Sequence, residues 1–341
     1  MAGGKETPRQ KMIGMMYLVL TALLALNISK EVLNGFVKVE RGLIKTQSTL
    51  KSKALATFGE IELRYASNAE KVGPFYDAAL EVKCISEDLR GQMQKLKAIT
   101  MAVSEGKLKV QSTGELASEP DNLEPYLGID EEGAPMCIPL DFKRPGDADK
   151  PKEKQKNLIQ KPDAYDAVTL LLYGTNISQP REGAWSAAEL RTKLENYRDY
   201  LRGISFTDAE GINVEMPEGL KSSIDKRFQF PDEFEDKKKV SWEYSNFNHV
   251  PLAAVMPIMS KLIIDVQDAE QDVLTFLNSR IDGESFKVNE FRPLLVPQSN
   301  YVLEGDTIRA QVMLAGFDKT NKPDIYVSTT PFDGDSTFIY E

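Results

Sequence analysis

Apolar residues gather first in one unbroken block, Met12–Ile28, 17 residues without a charge, flanked by Arg9 and Lys11 before it and Lys30 after it. As a helix rising 1.5 Å per residue it spans about 26 Å, at the lower limit for crossing a bilayer core. The block predicts a single transmembrane helix, with residues 1–11 as a short tail. Two other readings compete. A cleaved signal peptide has a shorter apolar core ending at small residues, whereas this exit reads Ala25-Leu26-Asn27-Ile28-Ser29. A buried helix of a soluble core fits poorly with apolar residues on every side of the helix at the start of a chain.

Beyond the block the pattern turns periodic. No proline stands between Pro8 and Pro74, and Phe36, Val39, Leu43, Leu50, Ala54 and Ile61 recur close to a heptad. One helix is therefore expected to leave the block and continue, about 90 Å long from Pro8 to Asn68. Gly35 and Gly42 each weaken it by about 1 kcal/mol relative to Ala, which marks them as hinge candidates. A second helix is expected over Phe75–Val103, entered through a Gly73-Pro74 turn. Residues 104–160 lose periodicity and read as an insertion with short strands at Leu108–Gln111 and Cys137–Leu140. A short helix follows at Asp163–Tyr173. Ser186 and Glu189 fit a capping box, with Trp185 and Leu190 as its staple, ahead of a stripe of Leu190, Leu194, Tyr197 and Leu201. From Pro251 to Ile281, apolar residues from Leu252 to Phe276 alternate steps of three and four, as a bundle seam requires; Pro257 predicts a kink near its start. Residues 29–282 thus read as an all-α, up-down bundle with its insertion at 104–160. After Asp282-Gly283, Phe286–Pro297, Thr307–Phe317 and Asp324–Thr329 are strand-like. Residues 283–341 read as an all-β, Ig-like sandwich domain, truncated because the stretch is short for seven strands.

Composition narrows the chemistry. A net charge of −10 argues against nucleic acid as a partner. Cys84 and Cys137 form either one bridge or two buried thiols. A single histidine, His249, removes most His-based metal sites and catalytic triads; it reads as a capping or packing residue. GxxxxGK[ST] and GxGxxG are both absent, and none of the 52 acidic residues stands out by context. The chain is therefore read as a non-enzyme without cofactor or metal. Lys5, Arg9 and Lys11 keep the tail cytoplasmic by the positive-inside rule, although Lys30, Lys38, Arg41 and Lys45 on the far side dilute that signal. Within the block, Gly14, Tyr17 and Thr21 share about 60° of arc, a small and polar face suited to a partner helix. Arg9 is either a flanking charge reaching lipid phosphates or a fixed cation for an acidic residue on a partner helix.

PRQKMIGMMYLVLTALLALNISKEVL at 8–33, NFNHVPLAAVMPIMSKLIIDVQDAEQDVLTFL at 246–277 and VPQSNYVLEGDTIRAQVMLAGFD at 296–318 resemble the GldM/PorM family of the type IX secretion and gliding-motility machinery. The resemblance implies a single-pass inner-membrane protein with its bulk in the periplasm, a helical first domain, β domains after it, and a homodimer. It also implies a GldL/PorL-like membrane subunit forming a ring around the two helices. The pair would be a proton-motive-force-driven motor passing work to an outer-membrane-associated periplasmic ring. Arg9 falls on the family's functional arginine. The chain departs from the family by ending after one β domain, so the distal domains that reach that ring are absent. A bitopic sensor would need a signalling module that an 11-residue tail cannot hold; a passive periplasmic tether remains the competing reading.

Overall fold

The computed structural model describes residues 8–283 apart from 122, 131–132, 148–149, 152–153, 177 and 236–237, and beyond them 290–297, 301, 305 and 310–317. For the helical residues 22–30 only the backbone is described. The chain forms two compact units, Met1–Asn278 and Ser279–Glu341.

The first unit is built on three long helices. Helix α1 (Pro8–Ser67) runs through the apolar block and on into the bundle as one element of 60 residues. It passes Gly35 and Gly42 without a break. Among the described residues no helix is long and apolar enough to cross a membrane; described side chains of the block stop at Thr21, so its second half lies outside them. Helix α2 (Ala69–Ser104) follows after a single residue, Asn68, whose Oδ1 accepts from the Lys71 N–H at 3.1 Å. That cap moves the turn away from the Gly73-Pro74 expected from sequence. Pro74 lies inside α2, where its missing N–H sacrifices one bond close to the helix start. Helix α7 (Leu252–Gly283) closes the trio, with Pro257 inside it.

Side-chain partners set the directions. Lys97 meets Ser260 and Arg90 meets Glu270, so α7 runs antiparallel to α2. Gln47 bonds Ser260 and Gln271 bonds Thr57, so α7 runs parallel to α1. Helix α4 (Ala187–Arg202) lies on a further side of α2, its Tyr197 hydroxyl 2.7 Å from the Ser86 hydroxyl. Helix α2 is therefore central: every residue from Leu96 to Ser104 is buried, which an amphipathic surface helix never shows. The expected stripes are observed on α4 (Leu190, Leu194, Tyr197, Leu201) and along α7 from Leu252 to Val273.

Smaller elements wrap this core. Strands β1 (Leu127–Ile129) and β2 (Pro135–Cys137) form a hairpin against α2. The strand expected at Cys137–Leu140 thus lies earlier, and Leu108–Gln111 contributes only an isolated bridge, Val110 to Leu116. Helix α3 (Asp166–Leu172) precedes α4; hairpins β3 (Ser205–Thr207)–β4 (Asn213–Glu215) and β5 (Glu233–Glu235)–β6 (Lys238–Val240) flank α5 (Glu218–Arg227), and α6 (Trp242–Phe247) leads to α7. Sequence periodicity did not reveal α5 and α6, because each is short and is held by aromatic pairs such as Tyr197–Phe228 and Trp242–Phe247.

The cysteines are free: Cys84 is exposed and Cys137 buried. A bridge between them is ruled out by position. The Cys137 thiol lies 3.6 Å from Met101 Sδ, and Met101 stands about 26 Å along α2 from Cys84, far beyond disulfide reach. Burial pushes the Cys137 thiol up to about 12.

In the second unit, β7 (Glu290–Pro297) and β8 (Ala310–Phe317) pair antiparallel from Glu290–Phe317 to Pro297–Ala310. Leu295, Val312 and Leu314 share one face of this ribbon and are 66–72% exposed. Among the described residues the ribbon has two strands, and two strands by themselves are marginal in water. A sandwich is not established by two strands, and the expected third strand, 324–329, lies outside the described residues.

Lys97 is 0% exposed and sits between three helices. Replacing it by Met strands the Glu40 carboxylate, and chemical denaturation of Lys97→Met should show a loss of about 3–5 kcal/mol. The double variant Glu40→Leu/Lys97→Met should recover most of that loss.

Candidate functional site

Two regions of α1 carry chemistry that packing alone does not require. The first is its N-terminal end. From Met12 to Leu20, every large apolar side chain is 56–72% exposed, on all sides of the helix. Left in water, such a surface would be an aggregation hazard; it demands lipid or protein around it. Arg9 stands in the first turn, also exposed. Gly14, Tyr17 and Thr21 share one side, and a Cβ added at Gly14 would meet nothing within 4 Å. Tyr17 is 68% exposed. The Thr21 hydroxyl donates to its own helix, to Tyr17 O at 2.9 Å and Leu18 O at 3.0 Å. Thr21 therefore offers a partner small size rather than an unmet hydrogen bond. Gly35 and Gly42 are likewise open, with nothing within 4 Å of an added Cβ.

The second region is the seam where α1 meets α2 and α7. Glu40, Gln47, Ala54 and Ile61 occupy successive heptad positions and are all at most 4% exposed. The sequence reading took Val39 instead, which is 53% exposed, because hydrophobicity alone cannot nominate a glutamate or a glutamine for a core. Lys97 Nζ lies 2.6 Å from Glu40 Oε1 and 2.6 Å from Ser260 Oγ, and Ser260 Oγ lies 2.9 Å from Glu40 Oε1. One triangle thus ties three helices.

A layer of amides follows. Gln47 Nε2 donates to Ser260 O, and Gln94 Nε2 donates to Gln47 Oε1. Gln94 Oε1 accepts the Cys137 N–H, which anchors β2, and Gln267 Nε2 donates to Gln47 O. The next layer is Arg90 beside Glu270, 3.2 Å apart, with Glu270 2% exposed. Burial pushes the Glu270 carboxyl up to about 7 and Glu87 adds to the rise, while Arg90, Lys83 and Lys51 oppose it. Beyond it, Gln271 reaches Thr57 and Asn278 reaches Glu60.

Buried polar contacts of this kind contribute little net stability, but they fix register. Sliding α1 past α2 by one turn, about 5.4 Å, would separate Glu40 from Lys97. Elsewhere, the Ser186 hydroxyl accepts the Glu189 N–H as the capping box requires, and the Glu189 carboxylate reaches back to Trp185 N rather than to Ser186 N. The His249 N–H donates to Thr169 Oγ1 and its ring leans on Tyr165. Among the described residues no group of His, Cys, Asp and Glu has the arrangement of a metal site.

Comparison with known families decides the identity. The family model for the GldM N-terminal domain matches residues 31–127 and 146–280, and that for the GldM second domain matches 282–339. The chain belongs to the GldM family. It is accordingly a component of the gliding-motility and type IX secretion machinery. Comparison with curated proteins finds no match. The GldM N-terminal match contains Glu40, Lys97, Ser260, Arg90 and Glu270, so the polar seam lies within the family domain. It begins at residue 31, after the exposed apolar end of α1.

Two outcomes follow from this geometry. Glu270 binds its proton more tightly folded than unfolded, so its contribution is full below the usual glutamate range and is lost as pH rises through about 7. The melting temperature of wild type minus that of Glu270→Gln should therefore fall steadily between pH 4.5 and 7; a flat difference would contradict the shift. At Gly35 and Gly42 the space is open, so Gly→Ala should raise stability by about 0.5–1 kcal/mol each. If these glycines serve as hinges, the same variants would impair secretion in cells while denaturation shows the gain.

Proposed function

We propose that the chain is the force-transmitting subunit of an inner-membrane motor, driven by the proton motive force, that powers type IX secretion and gliding. In this reading Met12–Ile28 spans the membrane once, residues 1–11 lie in the cytoplasm, and the bundle and β unit lie in the periplasm. Two copies stand together within a ring of GldL/PorL-like membrane subunits. The observation that carries the reading is α1 itself. One helix joins an apolar end exposed on every side to a seam whose register is fixed by buried charge.

The proposed mechanism is mechanical. Met12 to Ile28 holds no carboxylate, lysine, arginine or histidine, so the proton would be carried by the partner. Arg9, at the start of the span, would pair with the partner's ionised carboxylate and release the protonated one. One charge crossing 100 mV is worth about 2.3 kcal/mol, enough to bias a helix between two such pairings. The seam then turns helix motion into bundle motion, because slip between α1 and α2 costs about 3–5 kcal/mol for an unpaired buried charge. The β unit would hand that motion outward, toward a periplasmic ring at the outer membrane. No catalysis, cofactor or nucleic acid enters this scheme.

Arg9→Ala, expressed at native level in cells, tests it. The expected result is a complex that still co-purifies with its membrane partner while secretion and gliding are lost. Retained activity would make the helix an anchor and the chain a passive tether.

A further inference from the structure

The bundle end nearest the apolar block is closed by residues 139–163. Ile159, Asn157 and Asp141 line a cleft of about 300 Å³ with Leu33, Val37 and Arg41 of α1. The Glu105 carboxylate, at the end of α2, accepts the Gln160 and Lys161 N–H groups, and Ala164 O and Pro162 O accept the Leu252 and Ala253 N–H groups, respectively, at the start of α7. The segment thus bridges the end of α2, the start of α7 and the middle of α1. Leu33 to Arg41 lie only about 8–20 Å along α1 from Ile28.

This end has the opposite charge to the rest of the chain. Residues 139–163 hold seven Lys or Arg against five acidic residues, a net of +2 in a chain of −10. Two of the acids here are turned inward: Asp141 pairs with Arg41, and Asp147, 7% exposed, accepts from Lys150 and from the Lys156 N–H. Arg144, Lys154, Lys156 and Lys161 point into solvent. Asp163 and Asp166 are the exposed acids beside them. Two aromatic side chains are uncovered at the same end, Phe142 at 38% and Tyr165 at 46%. Outward cations mixed with half-exposed aromatic rings are the composition of surfaces that rest on lipid headgroups.

We propose that this end of the bundle docks on an anionic lipid surface, with Arg144, Lys154, Lys156 and Lys161 held by headgroup phosphates and Phe142 and Tyr165 at the interface. The attraction of such cations falls off within a Debye length of the surface and is screened by salt. Docking would fix the tilt of the bundle on the membrane, so that motion of α1 turns the bundle rather than rocking it. The proposal rests on the membrane reading of Met12–Ile28.

Hydrogen exchange on the full chain reconstituted into lipid nanodiscs tests it. Discs of phosphatidylcholine alone are compared with discs containing one-third phosphatidylglycerol. Co-elution with the neutral discs checks the membrane reading separately: failure there removes both claims. Given co-elution, amides of 141–163 should exchange roughly tenfold more slowly in the anionic discs, about 1.4 kcal/mol. High salt should abolish that protection, as should the variant Arg144→Gln/Lys154→Gln/Lys156→Gln/Lys161→Gln, whose melting temperature should match wild type. Equal exchange in the two disc types would overturn the docking proposal alone, as would equal protection from free inorganic phosphate in neutral discs.

Discussion

Lys97 has no route to water, and its charge is met by one carboxylate and one hydroxyl from two other helices. That constraint organises the bundle. An ammonium group buried without a partner is unaffordable in an apolar core, so α1 and α7 must present Glu40 and Ser260 at the same height on α2. Once they do, Gln47 falls opposite Gln94 and Gln267, and Arg90 falls opposite Glu270. The apolar residues between these layers supply most of the driving force for folding. They would accept other registers, and the polar layers remove that freedom. A coiled-coil seam uses a buried asparagine for the same purpose.

A bundle whose helices cannot slide suits a GldM-family chain. Its first helix leaves the core carrying an end exposed on all sides, so whatever grips that end acts directly on the seam. For the proposed force-transmitting role, stiffness and register would count for more than net stability, which would account for charges kept where hydrophobic residues would pack as well. On the proposed motor reading, docking of the basic end would add a second constraint by holding the bundle while α1 moves.

The sequence displayed much of this, and the omissions are specific. The block at Met12–Ile28, the seam of α7 and the cap at Ser186 were legible because each follows a local period or a short chemical rule. The cap also showed where the rule bends, with Glu189 choosing Trp185 N. Glu40, Gln47 and Lys97 were not legible, because burial of a charge depends on partners 57 and 220 residues away. The end of α1 at Asn68 was legible, but the start of α2 directly after it was not: Gly73-Pro74 is the stronger local signal, yet one asparagine cap suffices to reverse the chain. The basic patch lies in the aperiodic insertion, and its place beside α1 emerges only from the fold.

The central claim is that α1 is one rigid rod from its apolar end into the seam. Spin labels at Leu20→Cys and Ala56→Cys, in a Cys84→Ser background, measure this directly by pulsed dipolar spectroscopy. The full chain would be reconstituted in lipid and diluted with unlabelled protein. Continuous helix over those 36 residues predicts a narrow distribution centred near about 54 Å. A broad or much shorter distribution would place a joint at Gly35 or Gly42 and contradict the account.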